Sequence, residues 1–124
     1  MAEPSWTVAA ANAALGRVTD LVQQAQRAVV AMRNRAERGR VSSNGNGHAP
    51  RDDAEARLQQ ALELLEADGI VLRDVDRGLV DFPAHTADGR PFWLCWVAGE
   101  PEVGWWHWPE DGFAGRRSID ELPT

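Results

Sequence analysis

Two side chains in the second half of the chain could do chemistry together. Asp81 lies in the apolar run LVDFPA, and His107 lies in the run WWHW. A carboxylate beside an imidazole can form an acid–base pair, or the two can bind a metal ion if a third ligand such as Glu110 or His48 joins them. The other interpretation is a histidine that is hydrogen-bonded among tryptophans and has only a structural role. We expect no cofactor and no metal, and we keep Asp81, His107 and Glu110 as the alternative metal site.

Three other groups could bind or react. Cys95 is the single cysteine, and its place in a strand-like run predicts a buried core residue rather than a nucleophile or metal ligand. Arg116 and Arg117 follow the glycine-rich stretch GFAG and could hold an anion, or could form salt bridges with nearby acidic residues. Asp74 and Asp76 could hold a hard cation together with Asp81, although a turn rich in Asp and Gly needs no metal.

The elements that must position these residues are short β-strands. After residue 69 the apolar pattern takes a period of two, in the runs IVLRDV, LVDFPA, PFWLCWVA and VGWWHW. Turn-forming segments separate the runs. The pattern predicts a four-stranded antiparallel meander within residues 70–110, followed by a tail over residues 111–124.

The length of each hairpin loop decides which side chains share a face. A two-residue turn at Asp88 and Gly89 would place Asp81 opposite Trp96. The face predicted to pack on the helices then carries Val80, Phe82, Ala84, Trp93, Cys95, Val97, Gly104, Trp106 and Trp108. The other face carries Leu79, Asp81, Pro83, Phe92, Leu94, Trp96, Trp105 and His107. Tryptophans with an acid and an imidazole on that second face predict a surface that binds a ligand or a partner.

Two helices are predicted before the sheet. Thr7 can cap a helix over residues 7–38, whose apolar residues alternate at intervals of three and four, and a second helix is expected over residues 52–68, ending at Gly69. Residues 39–51, rich in Gly, Ser and Asn, predict a flexible connection. The longer first helix leaves its N-terminal part without a helical partner. The sheet could cover it, or a second subunit could, in which case the protein would be a homo-oligomer through helix one.

The bulk properties limit the possible partners. The chain has 124 residues, a net charge of −6 and one cysteine, which favour a single domain without an internal disulfide. Without an export-signal pattern or an apolar run long enough to cross a membrane, we expect a cytoplasmic protein with no membrane partner. The arginines in residues 33–40 are the sole basic cluster, and the acidic remainder of the chain argues against nucleic acid.

Several motifs together resemble one known family. WTVAAANAAL, NGNGH, RGLVDFPA, WLCW, WWHW and GFAGRR occur in an order similar to that of the bacterial domain-of-unknown-function family 2203, over nearly the whole chain. The first helix departs from the family pattern at Ala9, Ala10 and Gly16, while the sheet motifs are undisturbed. The resemblance implies a fold and an architecture, and it implies no reaction.

The fold expected from these observations is α+β, with a long antiparallel helical hairpin packed on a four-stranded antiparallel meander. The expected function is that of a small, tryptophan-rich, non-catalytic module that binds an unknown protein or small molecule. Its predicted site consists of Asp81, Trp96, Trp105, His107 and Arg116. The alternative function is a hydrolase-like enzyme, metal-dependent or acid–base, centred on Asp81 and His107, with Arg116 holding an anion.

Overall fold

A helical layer packs on one face of a small antiparallel sheet. The computed structural model describes residues 4–41 and 48–123. Within these ranges the helices are α1 (Val8–Ala13), α2 (Leu15–Val41) and α3 (His48–Ala67), and the strands are β1 (Val71–Asp74), β2 (Leu79–His85), β3 (Pro91–Val97), β4 (Trp105–His107) and β5 (Arg117–Ser118). This arrangement confirms the α+β class. No helix in the described ranges is both long and apolar enough to cross a membrane.

The helical part differs from the predicted two-helix hairpin. The hydroxyl of Thr7 accepts a hydrogen bond from the amide of Ala10 at 3.1 Å and caps α1, but the helix is interrupted at Ala14 before α2 begins. The helix predicted over residues 7–38 is therefore a short helix followed by a long one. Helical structure also continues to Val41 and resumes at His48, within the predicted connection, of which residues 42–47 lie outside the described residues.

The long helix α2 lies beside α3, and a glycine ends α3. Gln24 of α2 donates a hydrogen bond to the backbone oxygen of Arg57 in α3, at 2.9 Å. At the end of α3, Gly69 adopts a φ of +76°, a left-handed conformation that suits glycine. Its turn lets the amide of Ile70 reach the oxygen of Leu65 at 3.0 Å. The chain leaves the helices there and enters the sheet.

The sheet is an antiparallel meander with the strand order β1-β2-β3-β4-β5. The prediction of four strands was wrong by one, because β5 lies in the segment that was predicted to be a tail. Trp105 pairs with Ser118, and Trp106 pairs with Arg117. A strand of two residues is too short to show the alternating apolar pattern by which strands are recognised. It forms here because the chain returns to the free edge of β4.

The register of β3 also differs from the predicted one. Asp81 pairs with Cys95 rather than with Trp96, and Cys95 pairs in turn with Trp105. The side chains of β3 therefore lie on the opposite faces from those predicted. The pairing of β3 with β4 is shifted as well, and the two shifts cancel. The side chains of β2 and β4 therefore share faces as predicted. Trp96 consequently lies on the helix-facing side, and Trp93 and Cys95 lie on the other side.

The loop between β2 and β3 explains the shift. The amide of Thr86 donates to the backbone oxygen of Arg90 at 2.9 Å, and the amide of Arg90 donates to the hydroxyl of Thr86 at 2.9 Å. These bonds enclose residues 87–89, with Gly89 at a φ of +89°. Such a three-residue loop with a left-handed glycine is a common alternative to the predicted two-residue turn. Its odd length reverses the faces of the following strand.

The core lies between the helices and the helix-facing side of the sheet. Its buried residues are Ala11, Val18, Leu21, Val22, Leu65, Ile70, Val80, Phe82, Ala84, Phe92, Leu94, Trp96, Val103 and Trp106. Trp106 is a core residue as predicted, and Trp108 packs edge-on against it with ring centroids 4.9 Å apart. Trp96 takes the core position that was predicted for Trp93. The N-terminal part of helix one is covered by the sheet of the same chain, since Ala11 belongs to this cluster.

Candidate functional site

Three ligand-type side chains meet on the face of the sheet that is turned away from the helices, called here the outer face. Asp81 on β2, Cys95 on β3 and His107 on β4 form a cluster, the triad, in which one donor atom from each residue lies within 4.8 Å of the others. Their residues are 2%, 0% and 3% exposed, respectively. The alternation of side chains along three neighbouring strands brings them together. The outer face therefore holds a buried polar centre.

His107 is held at both ring nitrogens. Its Nδ1 lies 2.8 Å from the backbone oxygen of Trp108, and its Nε2 lies 3.0 Å from Oδ2 of Asp81. A carbonyl oxygen can only accept, so Nδ1 carries a hydrogen and donates it. This bond fixes the tautomer and the orientation of the ring, and it directs Nε2 toward the carboxylate.

Asp81 has one satisfied oxygen and one unsatisfied oxygen. Oδ2 accepts a hydrogen bond from Nε of Arg73 at 3.0 Å, in addition to its contact with His107. Oδ1 is buried and has no hydrogen-bond partner. Buried polar atoms without a partner are rare, and each costs roughly 1–3 kcal/mol. This atom is the point of the triad that is open to a further contact.

Cys95 is a free thiol at the centre of this face. Burial and, secondarily, the negative charge of Asp81 together raise its pKa to about 12, while Arg116 acts in the opposite direction. The thiol is therefore protonated at neutral pH in the protein without a ligand. The sequence correctly indicated that Cys95 is buried, but it placed this residue on the wrong face. An odd number of residues in the loop between β2 and β3 would have placed Cys95 on the same face as Asp81.

Arginines stacked on aromatic rings flank the triad on the outer face. The guanidinium of Arg73 lies 4.8 Å from the ring centre of Trp93, and that of Arg116 lies 4.9 Å from Trp105 and 5.0 Å from Phe113. We call these five side chains the cover. Arginine stacks well on aromatic faces and still keeps its hydrogen-bonding edge.

Arg116 is already paired with a carboxylate. Its Nη2 lies 2.8 Å from both Oε1 and Oε2 of Glu100, and the two side chains are 14% and 25% exposed. Continuing the pairing of Trp106 with Arg117 by one residue places Arg116 opposite His107 on the outer face. The predicted salt bridge is thus present. The anion on Arg116 in this structure is the side chain of Glu100.

The other predicted site residues lie apart from the triad. Trp96 is in the core, where its Nε1 donates to the backbone oxygen of Glu100 at 3.0 Å. Glu110 is exposed and pairs with Arg90 at 3.5 Å. It does not belong to the metal-type cluster found among the described residues. The side chain of His48 lies outside the described part of the chain.

Two of the weaker candidates are engaged elsewhere. Asp76 pairs with Arg33 of α2 through two nitrogen–oxygen contacts, at 3.0 and 3.2 Å. Asp74 accepts a hydrogen bond from the backbone amide of Arg77 at 3.2 Å within the β1–β2 turn. Both acidic side chains therefore stabilise the β1–β2 turn, Asp74 within the turn and Asp76 through its contact with α2. The hard-cation site considered for Asp74, Asp76 and Asp81 does not assemble.

Comparison with known proteins identifies the family. The family model described as "Uncharacterized conserved protein (DUF2203)" matches residues 5–119, so the chain belongs to this family. No curated protein and no solved structure matches the chain significantly. The motifs that carried the resemblance contain all three members of the triad, in RGLVDFPA, WLCW and WWHW.

Proposed function

We propose that this member of the DUF2203 family is a non-catalytic binding module whose ligand occupies the triad. The observation that carries the proposal is Oδ1 of Asp81, a carboxylate oxygen that is buried without a partner. A fold gains nothing in stability from such an atom, and sites that bind ligands are where exceptions of this kind concentrate. Asp81, Trp105 and His107 of the predicted site belong to this face, together with Cys95 and the cover.

The contacts of the triad favour binding over catalysis. A thiol whose pKa is raised to about 12 is a poor nucleophile at neutral pH. Both ring nitrogens of His107 are engaged with oxygen atoms, so neither is free to take a proton from a substrate. The hydrolase-like alternative would require the contact between His107 and Asp81 to open first.

Native mass spectrometry of the protein purified without chelator tests the proposal. We expect a species heavier than the bare chain, because the site should retain its ligand. Asp81→Asn should lose the added mass, since it replaces the carboxylate with a weaker ligand of the same shape. Asp76→Asn removes the same charge from an exposed ion pair with Arg33 and should keep it. A wild-type protein with the mass of the bare chain, or an added mass that survives Asp81→Asn, would contradict the proposal.

The same proposal includes a cellular setting. We infer a reducing compartment such as the cytoplasm, because the single cysteine is an unpaired thiol in a site that oxidation would disable. Self-association through helix one is not part of the proposal. Val18, Val22 and Ala25 of its apolar stripe are buried within the chain. Among the residues of that helix whose exposure the structure describes, Val30, at 52%, is the large hydrophobic residue left at the surface.

A further inference from the structure

We propose that the ligand of the triad is a transition-metal ion of the zinc class, held by Asp81, Cys95 and His107. This inference rests on the proposed binding function and names its ligand. The triad offers one oxygen, one sulfur and one nitrogen donor, and these are the atom types that bind Zn²⁺ and its neighbours in proteins. Calcium and magnesium prefer sites built from oxygen alone.

The spacing of the three donors suits one ion. They lie within 4.8 Å of one another. Tetrahedral zinc with bonds of about 2.0–2.3 Å sets its ligand atoms about 3.5 Å apart. A contraction of this size needs only small side-chain rotations, because the strands that carry the donors are already paired. Three protein ligands leave the fourth position to water or another small ligand.

The hydrogen bonds around the triad resemble the outer shell of a metal site. Metal-binding histidines usually donate their second ring N–H to a carbonyl or carboxylate oxygen. His107 does this through Nδ1 and the backbone oxygen of Trp108, which leaves Nε2 facing the other two donors. Arg73 can keep its bond to Oδ2 of Asp81 while the unpartnered Oδ1 turns to the ion.

The charge of the triad also favours a dication. The thiolate of Cys95 and the carboxylate of Asp81 would supply two negative charges to one M²⁺, and the thiol hydrogen of Cys95 would leave to solvent. The bound site would then hold no uncompensated charge from the ion in its buried position.

Titration with Co²⁺ tests the inference, because cobalt reports its ligands by colour. We expect the chelator-treated protein to bind one Co²⁺ per chain with a thiolate-to-cobalt charge-transfer band, and Zn²⁺ to abolish that band. Cys95→Ser should eliminate the band, and His107→Gln should weaken Co²⁺ binding at least tenfold. His85→Gln, a change of the same type at the end of β2, should bind like the wild type. Circular dichroism verifies that each variant is folded.

Slow entry of the ion into a buried site can be separated from failure to bind. The same titration is repeated on wild-type protein refolded from denaturant with Co²⁺ present. A refolded wild type without the band, or a Cys95→Ser variant that retains it, would overturn the inference. If native mass spectrometry shows a retained organic molecule and Co²⁺ does not bind, the metal is wrong and the binding function stands. If neither ligand is found, both proposals fail.

Discussion

The two faces of the sheet are both buried, but they are buried by different means. On the helix-facing side, apolar residues such as Val80, Phe82 and Leu94 are covered by α2 and α3. On the outer face, a buried polar triad is flanked by arginines stacked on aromatic rings. The first arrangement is what a small domain needs in order to fold. The second costs desolvation of charged groups, so we expect it to contribute little to stability.

Truncation of one phenylalanine on each side should give the largest contrast. Phe82 is 0% exposed in the core, whereas Phe113 of the cover is 39% exposed. We expect Phe82→Ala to lower the free energy of unfolding by about 3–5 kcal/mol, because it leaves a cavity. Phe113→Ala should cost less than about 1 kcal/mol. Urea denaturation measures both, with Phe82→Leu as a milder core variant. Equal losses at the two positions would show that the cover is part of the core.

Replacement of the polar pair should separate stability from function. His107→Leu alone leaves Asp81 buried with Arg73 as its remaining partner, and we expect a loss of about 3 kcal/mol in the metal-free protein. The double variant Asp81→Leu with His107→Leu should recover most of that loss, since an apolar pair needs no partners and Arg73 can turn toward water. Double-variant analysis by urea denaturation measures the coupling. A double variant less stable than His107→Leu would mean that the pair stabilises the fold.

The smallest effect expected is a pH dependence that belongs to the outer face. The folded protein holds the thiol proton of Cys95 up to about pH 12, whereas the unfolded chain releases it near the ordinary value of 9.0. Between these values the unfolded chain binds fewer protons, so the free energy of unfolding of the metal-free protein falls as pH rises above 9. Below pH 9 this contribution is constant. Urea midpoints at about pH 8 and pH 10 should show a decrease that is smaller in Cys95→Ala.

The sequence predicted those features that depend on local pattern. The cap at Thr7, the glycine stop at Gly69 and the strand runs all follow from residue types and short-range periodicity. The break at Ala14 had no such signal, since alanine favours helix. The strand β5 was missed because two residues carry no period, and its existence depends on pairing with Trp105 and Trp106 of the preceding strand.

The candidate site was predicted only in part, because the hairpin registers decide which side chains share a face. Asp81 and His107 were placed on one face because two register errors cancelled between β2 and β4. Cys95 and Trp96 were exchanged, since the pair Asp88 and Gly89 fits both a two-residue turn and a three-residue loop. Local sequence does not decide between these turns. The packing of Trp96 into the core does, because the opposite register would leave that indole outside it.

Glu100 connects the two faces, and this has a kinetic consequence. Its backbone oxygen accepts the indole hydrogen of the core residue Trp96 at 3.0 Å, and its carboxylate holds Arg116 of the cover at 2.8 Å. Arg116 of the cover is therefore tied to the core through Glu100. A ligand in the triad would leave only after this tie opens, so a conformational opening would contribute to its residence time.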